Sequence, residues 1–229
     1  MTEATDMRTL MLDRIRRART DIPSDERPED VVVPRDYRGA RPSGAATRPD
    51  ERRQLVDRFA ERAADYRAVV ARAVEHEVPG LVAKLLAQQA VNDLVVPDGF
   101  PERHLAAAVA IAPLRDEPPL SASALDAAHA VITTCALAVA DTGTIVLDAG
   151  PGQGRRALTL LPDYHLCLVP ADRIVATVPD AIARIRPTRP LTLISGPSAT
   201  SDIENDRVEG VHGPRTLHII VVEHETDPT

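Results

Sequence analysis

Three polar, glycine-bearing segments border apolar runs and hold most of the side chains able to do chemistry. The first is Ala140-Asp141-Thr142-Gly143-Thr144. Gly143 permits a sharp turn, the hydroxyls of Thr142 and Thr144 both donate and accept, and the Asp141 carboxylate is a candidate nucleophile or base. The plainer alternative is a hairpin turn closed by a capping aspartate. The second segment, Gly150-Pro-Gly-Gln-Gly-Arg155-Arg156, lacks both Gly-Lys-Ser/Thr and the G-x-G-x-x-G spacing of dinucleotide loops. It reads as a flexible surface loop in which Arg155 or Arg156 can bind an anion.

The third segment runs from Ser195 to Glu204 directly after the apolar run Leu191–Ile194. Ser195, Gly196, Ser198, Thr200, Asp202 and Glu204 fall within ten residues. Ser198, Thr200 or Ser201 can cap a helical turn whose free N–H groups point at an anion. A few residues on, His212 sits between Gly210 and Gly213, and histidine titrates nearest neutral pH. Asp141 and His212 are therefore the catalytic candidates. Thr142, Gly143, Thr144, Arg156, Ser195, Gly196, Ser198, Thr200, Asp202, Glu204 and Gly213 are the ligand-binding candidates. Asp202, Glu204, His212 and His218 lack the tight spacing of a metal site, so no metal is expected.

These segments need a scaffold. Apolar spacing predicts a short amphipathic helix over residues 7–19. Prolines 23, 28, 34, 42 and 49 break the polar stretch from Asp21 to Asp50 into an extended linker. Asp50 can cap a helix reaching about Ala64, Tyr66–Ala71 is β-like, and a helix covers about 78–90 with Pro79 in its first turn. Asn92–Val96 then gives a strand–helix–strand order, the parallel βαβ signature. Val131–Thr134, Thr144–Leu147, Leu166–Val169, Leu191–Ile194 and Leu217–Val222 are short aliphatic runs, often without alternation, as in strands covered on both faces. Ser123–His129 and Asp180–Ile185 read as helices. The expectation is an N-terminal helix and Pro-rich arm over 1–50 and one α/β domain over 51–229, a mostly parallel sheet with helices on both faces. Ligands in such sheets bind beyond the carboxyl ends of the strands. The loops Asp141–Thr144, Ser195–Glu204 and Gly210–Pro214 are expected to converge at one sheet edge, with a carboxylate–arginine pair at the rim.

Composition narrows the function. The 229 residues carry 27 basic and 34 acidic side chains, net charge −7, and aromatics are 2%. Phosphate neutralisation needs clustered cations and base stacking needs aromatic platforms, so nucleic acid is not an expected partner. No run approaches the ~18 apolar residues of a membrane span, and the acidic start lacks the apolar core of a secretory signal. A cytoplasmic protein is expected. Cys135 and Cys167 lie in apolar runs and read as buried reduced thiols. Iron–sulfur clusters take four thiolates, so these two cannot hold one, and no flavin or nicotinamide fingerprint is present. No cofactor is expected in this chain.

The segments ADTGTIVL, GRRALTLLPDYHLCLVPADRIVATVPDA, ISGPSATSDIE and VEGVHGPRTLHIIVV resemble the lactate utilization protein C family, the LUD-domain proteins. The match is dense in the second half of the chain and follows helix–strand order in the first. The family usually has Glu before Thr-Gly-Thr, where this chain has Asp141, a carboxylate one methylene shorter. The resemblance implies an α/β fold like NagB, ribose-5-phosphate isomerase and the CoA transferases. It also implies a non-redox role in oxidising L-lactate to pyruvate beside partners that carry iron–sulfur clusters. Two alternatives remain open at this point. One is a free-standing CoA transferase-like or sugar-phosphate enzyme, and the other is a regulatory module binding a small anionic metabolite.

Overall fold

The computed structural model describes residues 3–18, 20, 27, 48–186, 188–200, 208–209 and 213–223. Most of the predicted linker, with Asp202, Glu204 and His212, lies outside the described residues. The chain divides into two compact units, Met1–Gly39 and Ala40–Thr229. In the first, helix α1 spans Glu3–Ala18, with Met7, Leu10, Met11 and Ile15 exposed.

The second unit opens with α2, Pro49–Asp65. Its N-cap is Arg48, two residues before the expected Asp50, and no side chain caps it. Pro49, whose φ is preset for a first turn, starts the helix, and Asp50 and Glu51 face the positive end of its dipole. The first strand, β1 (Val69–Val74), begins three residues later than the apolar run suggests, because Tyr66 caps α2 and Arg67 turns the chain at φ 67°. Then follow α3 (Val78–Gln88), β2 (Asp93–Val96), β3 (Ala112–Arg115), α4 (Ala122–Ala127), β4 (Ala130–Thr134), β5 (Leu137–Val139) and β6 (Thr144–Leu147). After these come β7 (Tyr164–Pro170), β8 (Ile174–Val175), α5 (Val178–Ile182), β9 (Thr192–Ile194), β10 (Ala199–Thr200), β11 (Val208–Glu209) and β12 (Thr216–Glu223).

The central sheet is parallel throughout, in the order β1-β12-β7-β4-β2-β3. The fold is α/β with a parallel sheet and helices on both faces. Side-chain alternation sorts the layers. Leu94, Val96, Ala130, Ile132, Leu166 and Ile220 pack on one face with Val82 and Leu86 of α3. Cys167, Val169, Ile219 and Val221 pack on the other with Val56, Phe59 and Ala63 of α2. On that second face Val95 and Val131 meet Leu125 of α4. The strands read as continuous apolar runs because both faces are covered. β1 and β2, joined by α3, are not neighbours: β12, β7 and β4 lie between them.

A second sheet, β8-β5-β6-β9, accounts for the apolar runs at 137–147 and 191–194. Its pairs β5–β6 and β6–β9 are antiparallel and β5–β8 is parallel. Ala138 and Ile145 face α2 and the central sheet, while Leu137, Val139 and Val146 face Ala181 of α5. β5 and β6 are covered on both sides, so they look like parallel strands in the sequence, whereas β9 at the sheet edge leaves Leu193 exposed.

Candidate functional site

β6 begins at Thr144 and β9 ends at Ile194. Their antiparallel register, Ile145 opposite Ile194, brings the start of one beside the end of the other. The hydroxyls of Thr142 and Thr144 lie 2.7 Å apart, and that of Thr144 lies 2.8 Å from the Ser195 hydroxyl, giving a three-hydroxyl chain. The Ser198 N–H donates to the Pro214 carbonyl at 2.8 Å, which joins the third segment to the turn before β12. Thr142, Thr144, Ser195, Gly196, Ser198 and Gly213 are thus brought together. The cause is antiparallel pairing within the second sheet, not the ends of neighbouring parallel strands.

Around this junction lies a cavity of about 250 Å³ lined by Ser195, Gly196, Ser198, Gly213, Arg156 and His165, among others. Arg156 has no ion-pair partner among the described residues. His165 is buried, and its Nε2 lies 2.8 Å from the Thr133 hydroxyl. Burial holds its imidazole down to about 4, so it is neutral at physiological pH. Asp141 does not line the cavity. It pairs with Arg58 of α2 at 2.9 Å, both side chains about half exposed. Gly143 takes φ +60° and presses on the backbone of α2 at Arg62 and Ala63, so the Thr-Gly-Thr segment has a packing role. Thr200 lies in β10 opposite Val208. Asp202, Glu204 and His212 lie outside the described residues. His165 and Leu217 place this cavity at the amino ends of β7 and β12.

The carboxyl ends carry a larger cleft of about 840 Å³. Its walls include Glu75 after β1, Thr134 at the end of β4, Pro170 at the end of β7, and Glu223 at the end of β12. His76, Arg103, His104 and Arg173 also line it. Arg103 Nε donates to Glu75 Oε1 at 2.7 Å, and His104 Nε2 is 3.6 Å from the same oxygen. His104 is 5% exposed, its Nδ1 has no hydrogen-bond partner, and burial lowers its pKa. Arg173 donates from Nη1 to the Cys135 carbonyl at 2.7 Å and has no carboxylate partner among the described residues. Sequence reasoning missed Glu75, His76, Thr134, His104 and Arg173. Glu75 and Thr134 carry a signal, since each stands at or just beyond the end of a strand of the central sheet, whereas 191–194 belongs to the other sheet.

The glycine-rich segment 150–156 is pinned rather than flexible. The Gly152 carbonyl accepts from the Thr134 N–H, and its N–H donates to the Asp98 carbonyl, each at 2.7 Å. Arg155 makes paired bonds to Asp116 at 2.8 and 2.9 Å and another to the Leu120 carbonyl at 2.6 Å. That guanidinium is engaged by the protein, which removes Arg155 as a free anion binder. Among the described residues no group of three or more His, Cys, Asp or Glu is arranged to hold a metal. No described helix is long and apolar enough to cross a membrane.

Comparison with known proteins places this geometry among relatives. The pattern of the LUD domain matches residues 56–222. A protein of Deinococcus radiodurans named Lactate utilization protein C is 48% identical over 178 residues, covering 76% of this chain and 82% of that one. A second of that name from Shouchella clausii is 36% identical over 99 residues, covering 40% of this chain and 43% of its own. The crystal structure of a DUF162 family protein from Deinococcus radiodurans superposes with a TM-score of 0.63 at 43% identity, covering 75% of this chain and 98% of that one.

Proposed function

The chain belongs to the LUD domain family, and from that premise we propose that it serves lactate utilization as a component without a redox centre of its own. It acts in the cytoplasm in the oxidation of L-lactate to pyruvate, beside partner proteins that carry iron–sulfur clusters. The observation that carries the reading is the identity, over most of both chains, with a protein named Lactate utilization protein C. The chemistry of the chain agrees. Cys135 and Cys167 are both buried free thiols, two where a cluster takes four. In this reading electrons pass through the partners, and this chain binds a small anionic metabolite or organises the assembly.

The hydroxyl-lined cavity suits the binding role. A six-heavy-atom acid occupies at most about 180 Å³ at liquid water's share of roughly 30 Å³ per heavy atom, which fits within about 250 Å³. Arg156 supplies the counter-charge, and Ser195 and Ser198 supply hydroxyls. Asp141, tied to Arg58, stands outside the lining, so a direct role in proton transfer requires that ion pair to open. Deleting the gene and measuring growth on L-lactate as sole carbon source tests the metabolic role. Growth is lost and returns when this chain is supplied; unimpaired growth refutes the proposal.

A further inference from the structure

We propose that the cleft at the carboxyl ends of the parallel sheet is a second ligand site, which takes an aliphatic carboxylate longer than a three-carbon acid. Position, size, charge and an apolar wall converge on it. The cleft, about 840 Å³, lies beyond the ends of β4, β7 and β12, where parallel sheets place their ligands. Its size is that of sites for ligands of many atoms, and a three-carbon acid fills less than a quarter of it.

Charge then selects the ligand. Glu75 is tied to Arg103 at 2.7 Å, and Glu223 lies 3.7 Å from Arg72. Arg173 is the remaining lining arginine, with no carboxylate partner among the described residues. Its bond to the Cys135 carbonyl anchors the guanidinium at the residue that follows Thr134, and both Arg173 and Thr134 line the cleft. A carboxylate there accepts from Arg173 and from the Thr134 hydroxyl, whose own bond to the Pro151 carbonyl is long at 3.3 Å. The neighbouring cleft across the 150–154 segment, about 850 Å³, has no such cation: Arg115 is paired with Glu102 and Arg155 with Asp116.

His104 lines the cleft with its ring, but its unpartnered Nδ1 is itself buried, so the ligand's polar contacts come from Arg173 and Thr134. Apart from His76, the remaining wall is apolar, with Pro101, Pro151, Leu168 and Val222. Each methylene buried against it adds about 0.8 kcal/mol, roughly fourfold in affinity. The glycines at 99 and 152, both at φ +73°, let the two loops of this wall close on each other, since a Cβ at Gly99 would meet Pro151 Cβ at 2.7 Å.

The test is calorimetric titration of the full chain with hexanoate, propionate and inorganic phosphate. Hexanoate binds at least tenfold tighter than propionate, and phosphate does not compete. Arg173→Gln weakens hexanoate at least tenfold. Thr134→Val, which keeps the side-chain shape, weakens it severalfold and covers the case in which the arginine variant fails to fold. Equal binding of hexanoate and propionate, displacement by phosphate, or loss through Arg156→Gln with Arg173→Gln unchanged would each overturn the assignment. The result is independent of growth on lactate, so the two proposals fail separately.

Discussion

Replacing Gly143 by alanine tests whether the Thr-Gly-Thr segment is first a packing device. Gly143 sits at φ +60°, which costs an L-residue about 1–2 kcal/mol. The added methyl would also meet the α2 backbone, 2.5 Å from the Arg62 carbonyl carbon and 2.8 Å from Ala63 Cα. Carbon atoms rest about 3.5–4.0 Å apart, so α2 must retreat by about 1 Å. That helix carries Val56, Phe59 and Ala63, all buried against the central sheet. Overpacking of this kind costs about 1–3 kcal/mol, and together the two effects remove about 2–5 kcal/mol. In a unit of this size that lowers Tm by about 5–20 °C. Gly80 in α3 is the matched control. A Cβ there meets nothing within 4 Å, so Gly80→Ala is neutral or stabilises by up to about 1 kcal/mol. Urea unfolding of both variants decides the matter. A loss below about 1 kcal/mol in Gly143→Ala refutes the close approach to α2.

Burial holds His165 at about 4 against an ordinary 6.5. The unfolded chain therefore binds the extra proton between those values, and stability present above pH 6.5 is lost as pH falls through the window, by about 3 kcal/mol. His104 and His218, also lowered by burial, act with the same sign. Tm measured from pH 7 to 4 falls less steeply in His165→Gln; an unchanged slope contradicts the assignment. Cys135, its pKa raised by the hydrogen bond with Cys167 and by burial, and Cys167, itself fully buried, react with a thiol reagent only when the protein opens. Rapid native-state labelling would show otherwise. Asp141→Asn removes an exposed ion pair and costs less than about 1 kcal/mol in thermal unfolding. A larger loss would mean that the carboxylate holds more than Arg58.

Local pattern reached most elements. Pro79 marks one helix start, the start of α2 at Pro49 falls just before the Asp50 cap expected for it, and the apolar runs at 131–134, 166–169 and 217–222 are strands of the central sheet. The short strands β3, β5 and β8 were not legible. Ala112–Arg115 is largely exposed at a sheet edge, and the two- and three-residue strands carry too little pattern to separate from a loop. The four motifs at 140–147, 154–181, 194–204 and 208–222 sufficed for the family.

Sequence determined much of what is buried in the central strands, because apolar periodicity records how many faces of an element meet water, although Val69 and Leu193 in apolar runs are exposed. It did not determine which strand pairs with which, or in what direction. Thr144–Leu147 is covered on both sides, as the parallel strands are, and Leu191–Ile194 is an equally apolar run although Leu193 is 60% exposed, so the pattern does not tell one sheet from the other. Only the tertiary structure paired Thr144 with Ser195 across 51 residues. Only it set His104, Thr134 and Arg173 around one cleft at the opposite end of the central sheet. Hydrogen-bond pairing between distant strands fixes these neighbours, and a strand's own side chains do not encode the direction of its partner.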